Sequence, residues 1–348
     1  MICPRCKRPV SLHVQFDTDQ GFRSSSYCEY CKKFIKKTTG PFCKNGHSLD
    51  QFKETGMLGC SSCYDAFSPE LLHLLEEYRN NAPEDVLLPV PDRLSVARSE
   101  ELAFLVKRQD ALPFQAVPGD LQKKEIDRVL LSIRIRIARN ISDLSYKLNK
   151  VSAQNLAAVL FSSTSCFLSG AGSYCVADES MLFLWKKRNL VPENAIVASA
   201  ILPAGPILYT GDEDHLRIAW FLDSMHPDEI EKVIREKEFF DSYYRWQFHP
   251  LYGYLAACPS NSGSGVRVSF MLSLPLLTSC GQWANWAREL KESGFAIRGE
   301  KGEGTRSGPV YQISRKFHRA DIRAELAGMY TVMKRIIERE NRLQEEMS

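Results

Sequence analysis

The stretch VLLSIRIRIARN, residues 129–140, alternates apolar and basic side chains. Its central part follows a period of two, which is the side-chain repeat of a β-strand. Arg134 and Arg136 therefore lie on one face of the predicted strand, and the neighbouring isoleucines lie on the other. A strand face that carries arginines is usually exposed to solvent. This stretch alone predicts a strand with one buried face and indicates no function.

Two later stretches repeat the arrangement. In CPSNSGSGVRVSFMLSLP (258–275), a turn rich in glycine and serine leads into a strand that carries Arg267. In FAIRGEKGEGTRSG (295–308), Arg298 stands at the end of a strand, before a glycine-rich loop. Glycine-rich turns beside arginines are typical of places where a backbone approaches a ligand closely.

The stretch GDEDHLRI, residues 211–218, places three acidic residues before Arg217. A solvated turn followed by a helix cap would account for this pattern, since acidic residues favour the first turn of a helix. In that arrangement Arg217 stands one helical turn after Glu213.

Five arginines thus come from four separate segments, and we expect them to converge on one polyanion. Guanidinium groups pair bidentately with phosphate oxygens. The sequence contains no GxxxxGK[ST] phosphate loop and lacks the HRD and DFG motifs of protein kinases. The sequence therefore predicts a phosphate site built from arginines on a sheet.

The composition is that of an ordinary globular protein. The 348 residues allow two domains, and a net charge of +3 gives no general argument for nucleic acid as a partner. No apolar run reaches the roughly 20 residues that span a bilayer, and the start lacks a signal peptide. We expect a cytoplasmic protein without a membrane partner.

Seven of the eleven cysteines lie within the first 63 residues, where the sequence is mildly basic. In a reducing compartment, such paired cysteines indicate zinc rather than disulfides. One predicted zinc site consists of Cys3, Cys6, Cys28 and Cys31. A second site consists of Cys43, His47, Cys60 and Cys63. The alternative for the second site is that His47 is a surface residue and other ligands complete the pair.

We expect four regions along the chain: a zinc module (1–70), a linker with a short helix (71–119), a catalytic domain (120–316) and a C-terminal helix (317–348). The last region has apolar residues at helical spacing. This stripe either packs on the catalytic domain or forms the seam of a homodimer.

Four motifs, SIRIRIARN, DEDHLRI, YGYLAACPSNSGSGVR and RGEKGEG…VYQIS, resemble the guanidino (phosphagen) kinase family in order and spacing over residues 120–316. The N-terminal 70 residues resemble the zinc-binding half of McsA-type activator proteins. Together they are similar to the bacterial protein-arginine kinases of the McsB type with an activator module fused in front. The resemblance implies an α+β fold, in which helices flank the antiparallel sheet of a phosphagen-kinase catalytic domain.

The resemblance also implies roles for individual residues. Mg²⁺-ATP would be held by Ser132, Arg134, Arg136, Arg217, Arg267 and Arg298. The substrate guanidinium would be held by the carboxylates of Glu213 and Glu303, beside the thiol of Cys258. Three positions depart from the family pattern, because Gly211 and Asp212 stand where Asn-Glu is common and Ile133 replaces a small Ser or Thr.

The implied function is ATP-dependent phosphorylation of arginine side chains in proteins, with a link to the Clp protease system as a partner. Kinases of small guanidines resemble each other in an N-terminal helical domain, for which the region before residue 120 leaves no room. A domain that reads phosphoarginine is not expected in the short C-terminal region. A kinase of free arginine and a catalytically silent zinc-finger adaptor are the alternatives, and binding of nucleic acid is not expected.

Overall fold

A computed structural model describes residues 12–16, 23–27, 41–79, 93–109, 128–142, 144–167, 173–202, 206–222, 224–249, 252–299, 308–317 and 322–347. The strands are β1 (Leu12–Phe16), β2 (Arg23–Tyr27), β3 (Leu130–Arg139), β4 (Ser173–Val176), β5 (Val197–Leu202), β6 (Ile207–Thr210), β7 (Leu216–Leu222), β8 (Phe248–His249), β9 (Gly253–Tyr254), β10 (Val266–Ser273), β11 (Ala296–Gly299) and β12 (Val310–Phe317). The helices are α1 (Leu49–Thr55), α2 (Ser62–Ala66), α3 (Ser68–Arg79), α4 (Arg93–Val106), α5 (Lys150–Phe167), α6 (Glu179–Lys187), α7 (Pro227–Tyr243), α8 (Pro275–Ser279), α9 (Trp283–Glu292) and α10 (Ile322–Met347), with a 3₁₀ turn at Pro259–Asn261.

Eight strands form one antiparallel sheet in the order β11-β12-β10-β3-β7-β6-β5-β4. Strand β3 lies inside the sheet, between β10 and β7. The predicted α+β class, with an antiparallel sheet flanked by helices, is confirmed.

One face of the sheet carries Ile133, Ile135 and Ile137, and we call it the isoleucine face. Each of these side chains is at most 1% exposed. Helices α5, α7 and α10 contribute buried apolar residues to the same core. Removing this apolar area from water is the main driving force for the packing.

Helix α10 carries the apolar stripe predicted from the C-terminal sequence. Met329, Met333 and Ile336 are buried in the core, and the ring of Tyr330 stacks on Phe270 of β10 with centroids 6.5 Å apart. The carboxylate of Glu340 accepts hydrogen bonds from the first backbone N–H groups of α8, at 2.8 and 2.9 Å. This helix therefore packs along the eight-stranded sheet.

Residues 41–79 form a small unit, which we call the finger. Its buried residues share an apolar cluster with Tyr146, Tyr252, Leu255 and Ala257 of the larger unit. Helix α3 runs across residue 70, where the sequence suggested a boundary. The finger is thus docked against the larger unit by apolar contacts.

The segment before Arg217 differs from the helical expectation. Residues 211–215 form a turn, and Arg217 lies on β7, which pairs with β3 and β6. The run Leu216–Leu222 is buried almost throughout, and a buried strand inside a sheet needs no alternation of polar residues. The expected helical turn was wrong.

Among the residues that the structure describes, no helix is both long and apolar enough to cross a membrane.

Candidate active site

The face opposite the isoleucines carries the predicted phosphate ligands, and we call it the arginine face. Arg136 of β3 lies directly across from Arg267 of β10. On the other side of β3, Ala138 pairs with Arg217 of β7. Because directly paired residues point to the same face of a sheet, three of the five arginines share one face.

The register extends this face to the edge of the sheet. Arg267 pairs with Lys316 of β12. On β11, Ala296 pairs with Ser314, so Arg298, two residues later, lies on the arginine face as well. Sequence reasoning considered only arginines and therefore missed Lys316. This lysine stands two residues after Ser314 and so lies on the same face of β12.

A cavity of about 970 Å³ opens on the arginine face. Its lining includes Arg136, Arg217, Arg267, Arg298, Lys316, Glu213 and Cys258. Ser132 and Arg134 lie on the same face but are not part of this lining as described. The guanidinium of Arg134 donates instead to the carbonyl of Asn189, at 3.4 Å.

Two of these arginines, Arg134 and Arg136, carry charges that burial disfavours. The buried Nε of Arg136 has no hydrogen-bond partner among the described residues. Burial, together with the nearby charge of Arg136, lowers the pKa of Arg134 to about 9. Burial also lowers the pKa of Arg136, with Arg217 and Arg298 acting in the same direction. A bound polyanion would relieve both costs.

Arg217 is the exception, because three carboxylates hold it. Its guanidinium lies 2.5 Å from Asp212, 2.9 Å from Glu213 and 3.0 Å from Asp214. Burial opposes its charge, but these carboxylates, Asp214 foremost, outweigh burial and raise the pKa of Arg217. The acidic turn thus fixes the position of one of the predicted phosphate ligands.

A buried network connects the acidic turn to the end of β3. Asn140 donates to Asp214 at 2.8 Å and to the carbonyl of Leu255 at 2.9 Å, and its side-chain oxygen accepts from the backbone of His215. Asp214 also accepts from the backbone N–H of Ala257 at 2.9 Å. Asn140 therefore joins three motifs that are far apart in sequence, a role that sequence reasoning missed.

His215 completes this network as a neutral residue. Its Nδ1 accepts from the backbone N–H of Ile141 at 2.9 Å, so its Nε2 donates to the carbonyl of Ser145 at 2.7 Å. Burial lowers the pKa of His215 to about 4. The histidine thus holds the turn and does not face the cavity.

Arg139 is fully buried and supports the loop that contains Cys258. The guanidinium of Arg139 forms a two-pronged ion pair with Asp241, at 2.6 and 3.0 Å, and lies 3.6 Å from the ring centroid of Tyr254. A Cβ atom at Gly265 (φ +67°) would lie 2.4 Å from its Nη1. Glycine is therefore required at this position.

Glu213 and Cys258 stand at the open side of the cavity. The side chain of Glu213 is 40% exposed, and its carboxylate lies 3.4 Å from the amide of Asn261. The sulfur of Cys258 lies 3.1 Å from the hydroxyl of Ser260. Glu303 lies outside the described residues.

The finger brings Cys43, His47, Cys60 and Cys63 together, with their ligand atoms within 4.8 Å of one another. The sulfur of Cys60 lies 3.7 Å from that of Cys43 and 3.8 Å from that of Cys63. Zinc–sulfur bonds of about 2.3 Å at tetrahedral angles separate two sulfurs by about 3.8 Å. The cluster therefore fits Zn²⁺.

Neighbouring groups support this cluster. Asn45 donates to the sulfur of Cys60 at 3.2 Å, as expected for a thiolate ligand. A Cβ atom at Gly59 would lie 2.0 Å from the ring of His47, so only glycine leaves room for it. Cys3, Cys6, Cys28 and Cys31, the other predicted site, lie outside the described residues.

Two protein families match this chain. Residues 206–343 match the C-terminal catalytic domain of the ATP:guanido phosphotransferases, and residues 42–83 match the McsA central zinc-finger domain. The chain carries a guanidino phosphotransferase domain. Its predicted joining to an McsA-type zinc finger is confirmed.

Curated relatives of the guanidino phosphotransferase include protein-arginine kinases. That of Syntrophomonas wolfei is 29% identical over 63% of this chain and 66% of its own length. That of Caldanaerobacter subterraneus is 28% identical over 63% of this chain and 70% of its own length. The chain spans about two thirds of the length of these relatives.

Solved structures show the same fold at low sequence identity. A lombricine kinase crystal structure gives a TM-score of 0.61 at 17% identity and covers 90% of this chain and 92% of its own. A duplicated taurocyamine kinase from Schistosoma mansoni gives a TM-score of 0.63 at 20% identity, covering 90% of this chain and 46% of its own. The phosphagen-kinase fold expected from the sequence is confirmed.

Proposed function

We propose that this chain transfers the γ-phosphoryl group of ATP to the guanidinium of arginine side chains in proteins. The supporting observation is that Arg136, Arg217, Arg267 and Arg298 line one cavity together with Glu213 and Cys258. The arginine cations and an accessible carboxylate thus line the same cavity. This arrangement suits an anionic donor and a cationic acceptor.

In the proposed reaction, the bond from the γ-phosphorus to the bridging oxygen breaks, and its electron pair goes to ADP. A guanidino nitrogen forms the new bond to phosphorus and loses one proton. A guanidinium has a pKa of about 13.8, so its nitrogen is a poor nucleophile until carboxylates align it and accept the proton. Glu213 takes this role in the proposal, together with Glu303.

The cations act on the donor. The arginine face, including Arg134 and Ser132, would hold the phosphates and stabilise charge on the transferred group. Bound Mg²⁺ would supply further neutralisation of the phosphate oxygens. Holding donor and acceptor in line can remove about 7–11 kcal/mol of the barrier, whereas base assistance contributes about 10²–10⁴-fold. Alignment is therefore the larger contribution.

A protein acceptor is favoured over a small guanidine for two reasons. In the described part of the chain, the finger packs beside residues 252–257, next to Cys258. The carboxylate of Glu213 is accessible at the mouth of the cavity, where a side chain on a protein surface can reach it. The curated relatives named protein-arginine kinase support the same substrate class.

The finger is proposed to act as a built-in activator. The backbone N–H of Leu58 donates to the carbonyl of Ala257 at 2.8 Å, and the hydroxyl of Tyr64 donates to the carbonyl of Ala256 at 2.8 Å. Ala257 in turn binds Asp214, and it directly precedes Cys258. A folded finger therefore supports both the acidic turn and the cysteine loop.

The cellular setting follows from the resemblance. We propose a cytoplasmic enzyme whose phosphorylated products are passed to the Clp protease system. The proposal also includes a homodimer.

The test offers Mg²⁺-ATP with casein, or with free arginine, to the purified chain. Acid-labile phosphate on casein arginines is the expected result. Glu213→Gln should lower transfer about 10³-fold while ATP binding is retained, because the neutral amide cannot pair with the guanidinium or accept its proton. Glu345→Gln, at an exposed position of α10, is the matched control.

Other outcomes decide against the proposal. Transfer to free arginine alone would assign a small-guanidine kinase, and transfer to neither acceptor would favour the adaptor. Unchanged activity of Glu213→Gln would refute the role of this carboxylate.

A further inference from the structure

Lys316 stands on β12 directly across from Arg267 and lines the cavity. Its side chain is half-buried, and the described residues include no hydrogen-bond or ion-pair partner for its ammonium group. A half-buried ammonium in a cavity that is also lined by Arg267 and Arg298 adds to the positive charge there, and such a concentration of charge indicates an anionic ligand.

The surroundings of Lys316 locate that ligand. Strand β12 lies between β10 with Arg267 and β11 with Arg298, and Cys258 and Glu213 line the same cavity. Burial and the charges of the two arginines together lower the pKa of Lys316 to about 8, although Cys258 and Glu213 act in the opposite direction. Lys316 thus shares one cavity with the proposed ligands of both the donor and the acceptor.

We propose that Lys316 is a further catalytic residue whose ammonium contacts the transferred phosphoryl group. This inference rests on the proposed function. Lys316 neither gives nor takes the proton of the reaction, which goes from the guanidino nitrogen to a carboxylate. Its compact charge stabilises the equatorial oxygens while the bond to ADP breaks and the bond to nitrogen forms.

The first test replaces the charge. Lys316→Met should lower kcat about 100-fold with a smaller change in the KM for ATP, because the contact strengthens only in the transition state. Lys316→Arg should keep most of the activity. Lys334→Met, on α10 with a side chain 63% exposed, is the control. Equal activity of the two methionine variants would overturn the proposal.

The second test uses pH. In the native chain, kcat/KM for ATP should fall as pH rises through about 8, because Lys316 loses its charge in the free enzyme. Lys316→Arg stays charged and should lack this fall. Other groups, such as Arg134, affect both profiles equally. The same fall in both proteins would overturn the proposal, and this comparison also decides if Lys316→Met fails to fold.

A third measurement separates this inference from the proposed function. If the native chain transfers phosphate to neither acceptor, the proposed function fails, and Lys316 is tested by binding alone. Nitrate, a planar anion like the transferred group, should tighten Mg²⁺-ADP binding about tenfold in the native chain and not in Lys316→Met. Equal tightening in both proteins, or none in either, would overturn the role of Lys316.

Discussion

The finger cluster and the arginine cavity differ in whether their buried polar atoms have partners. The sulfur of Cys60 lies within 3.8 Å of Cys43 and Cys63 and accepts a hydrogen bond from Asn45. The Nε of Arg136 has no partner among the described residues. A closed set of ligands stabilises a fold, whereas a buried polar atom without a partner costs stability. We infer from this contrast that the finger cluster is a structural centre and that the arginine cavity is a reactive one.

The largest expected effect comes from breaking the closed centre. Cys63→Ala removes one of four ligands, and a small unit of this kind depends on its metal for much of its folding energy. We expect the finger to lose its fold, which proteolysis and bound-zinc measurement would detect, and transfer activity to fall with it. Cys280→Ala, at an exposed cysteine, is the control. Retained zinc and protease resistance in Cys63→Ala would contradict the cluster.

In the arginine cavity, by contrast, a substitution should lower activity without lowering stability. Arg136→Met should lower transfer about 10³-fold, because a phosphate ligand is lost. The melting temperature should stay unchanged or rise, since burial and neighbouring arginines already disfavour this charge. Arg342→Met, on the exposed side of α10, is the control. A strongly destabilised Arg136→Met would mean that the guanidinium is a structural partner.

The smallest effect concerns the contact between the two centres. Tyr64→Phe leaves the buried carbonyl and N–H of Ala256 without their hydroxyl partner, which costs about 1–3 kcal/mol. Denaturant unfolding should show this loss, and activity should fall less than tenfold, because the bond from Leu58 to Ala257 remains. Tyr330→Phe, on α10 where the ring stacks on Phe270, is the control. Wild-type stability of Tyr64→Phe would mean that the finger docks otherwise.

Local patterns were sufficient for part of this molecule. The period of two in SIRIRI predicted which side chains share a face, and the cysteine spacing predicted a cluster that the structure brings together. The acidic turn misled, because acidic residues four positions before an arginine favour a helix locally, while β7 is fixed by pairing with β3. Here the buried sheet decided the local conformation.

Long-range contacts were beyond sequence reasoning. Asn140 joins the acidic turn to Leu255 only because the fold brings these segments together, and no spacing in the sequence indicates it. The docking of Tyr64 on Ala256 joins residues 192 positions apart. The roles of Glu303 and of the first cysteine set stay predictions.

The contact of Leu58 with Ala257 joins two parts of one polypeptide. Two parts of one polypeptide meet at an effective concentration that dilution of the protein does not change. Even a weak docking surface would therefore stay occupied at any dilution of the protein. Every catalytic domain also carries its own finger, so the ratio of the two parts cannot vary with expression level.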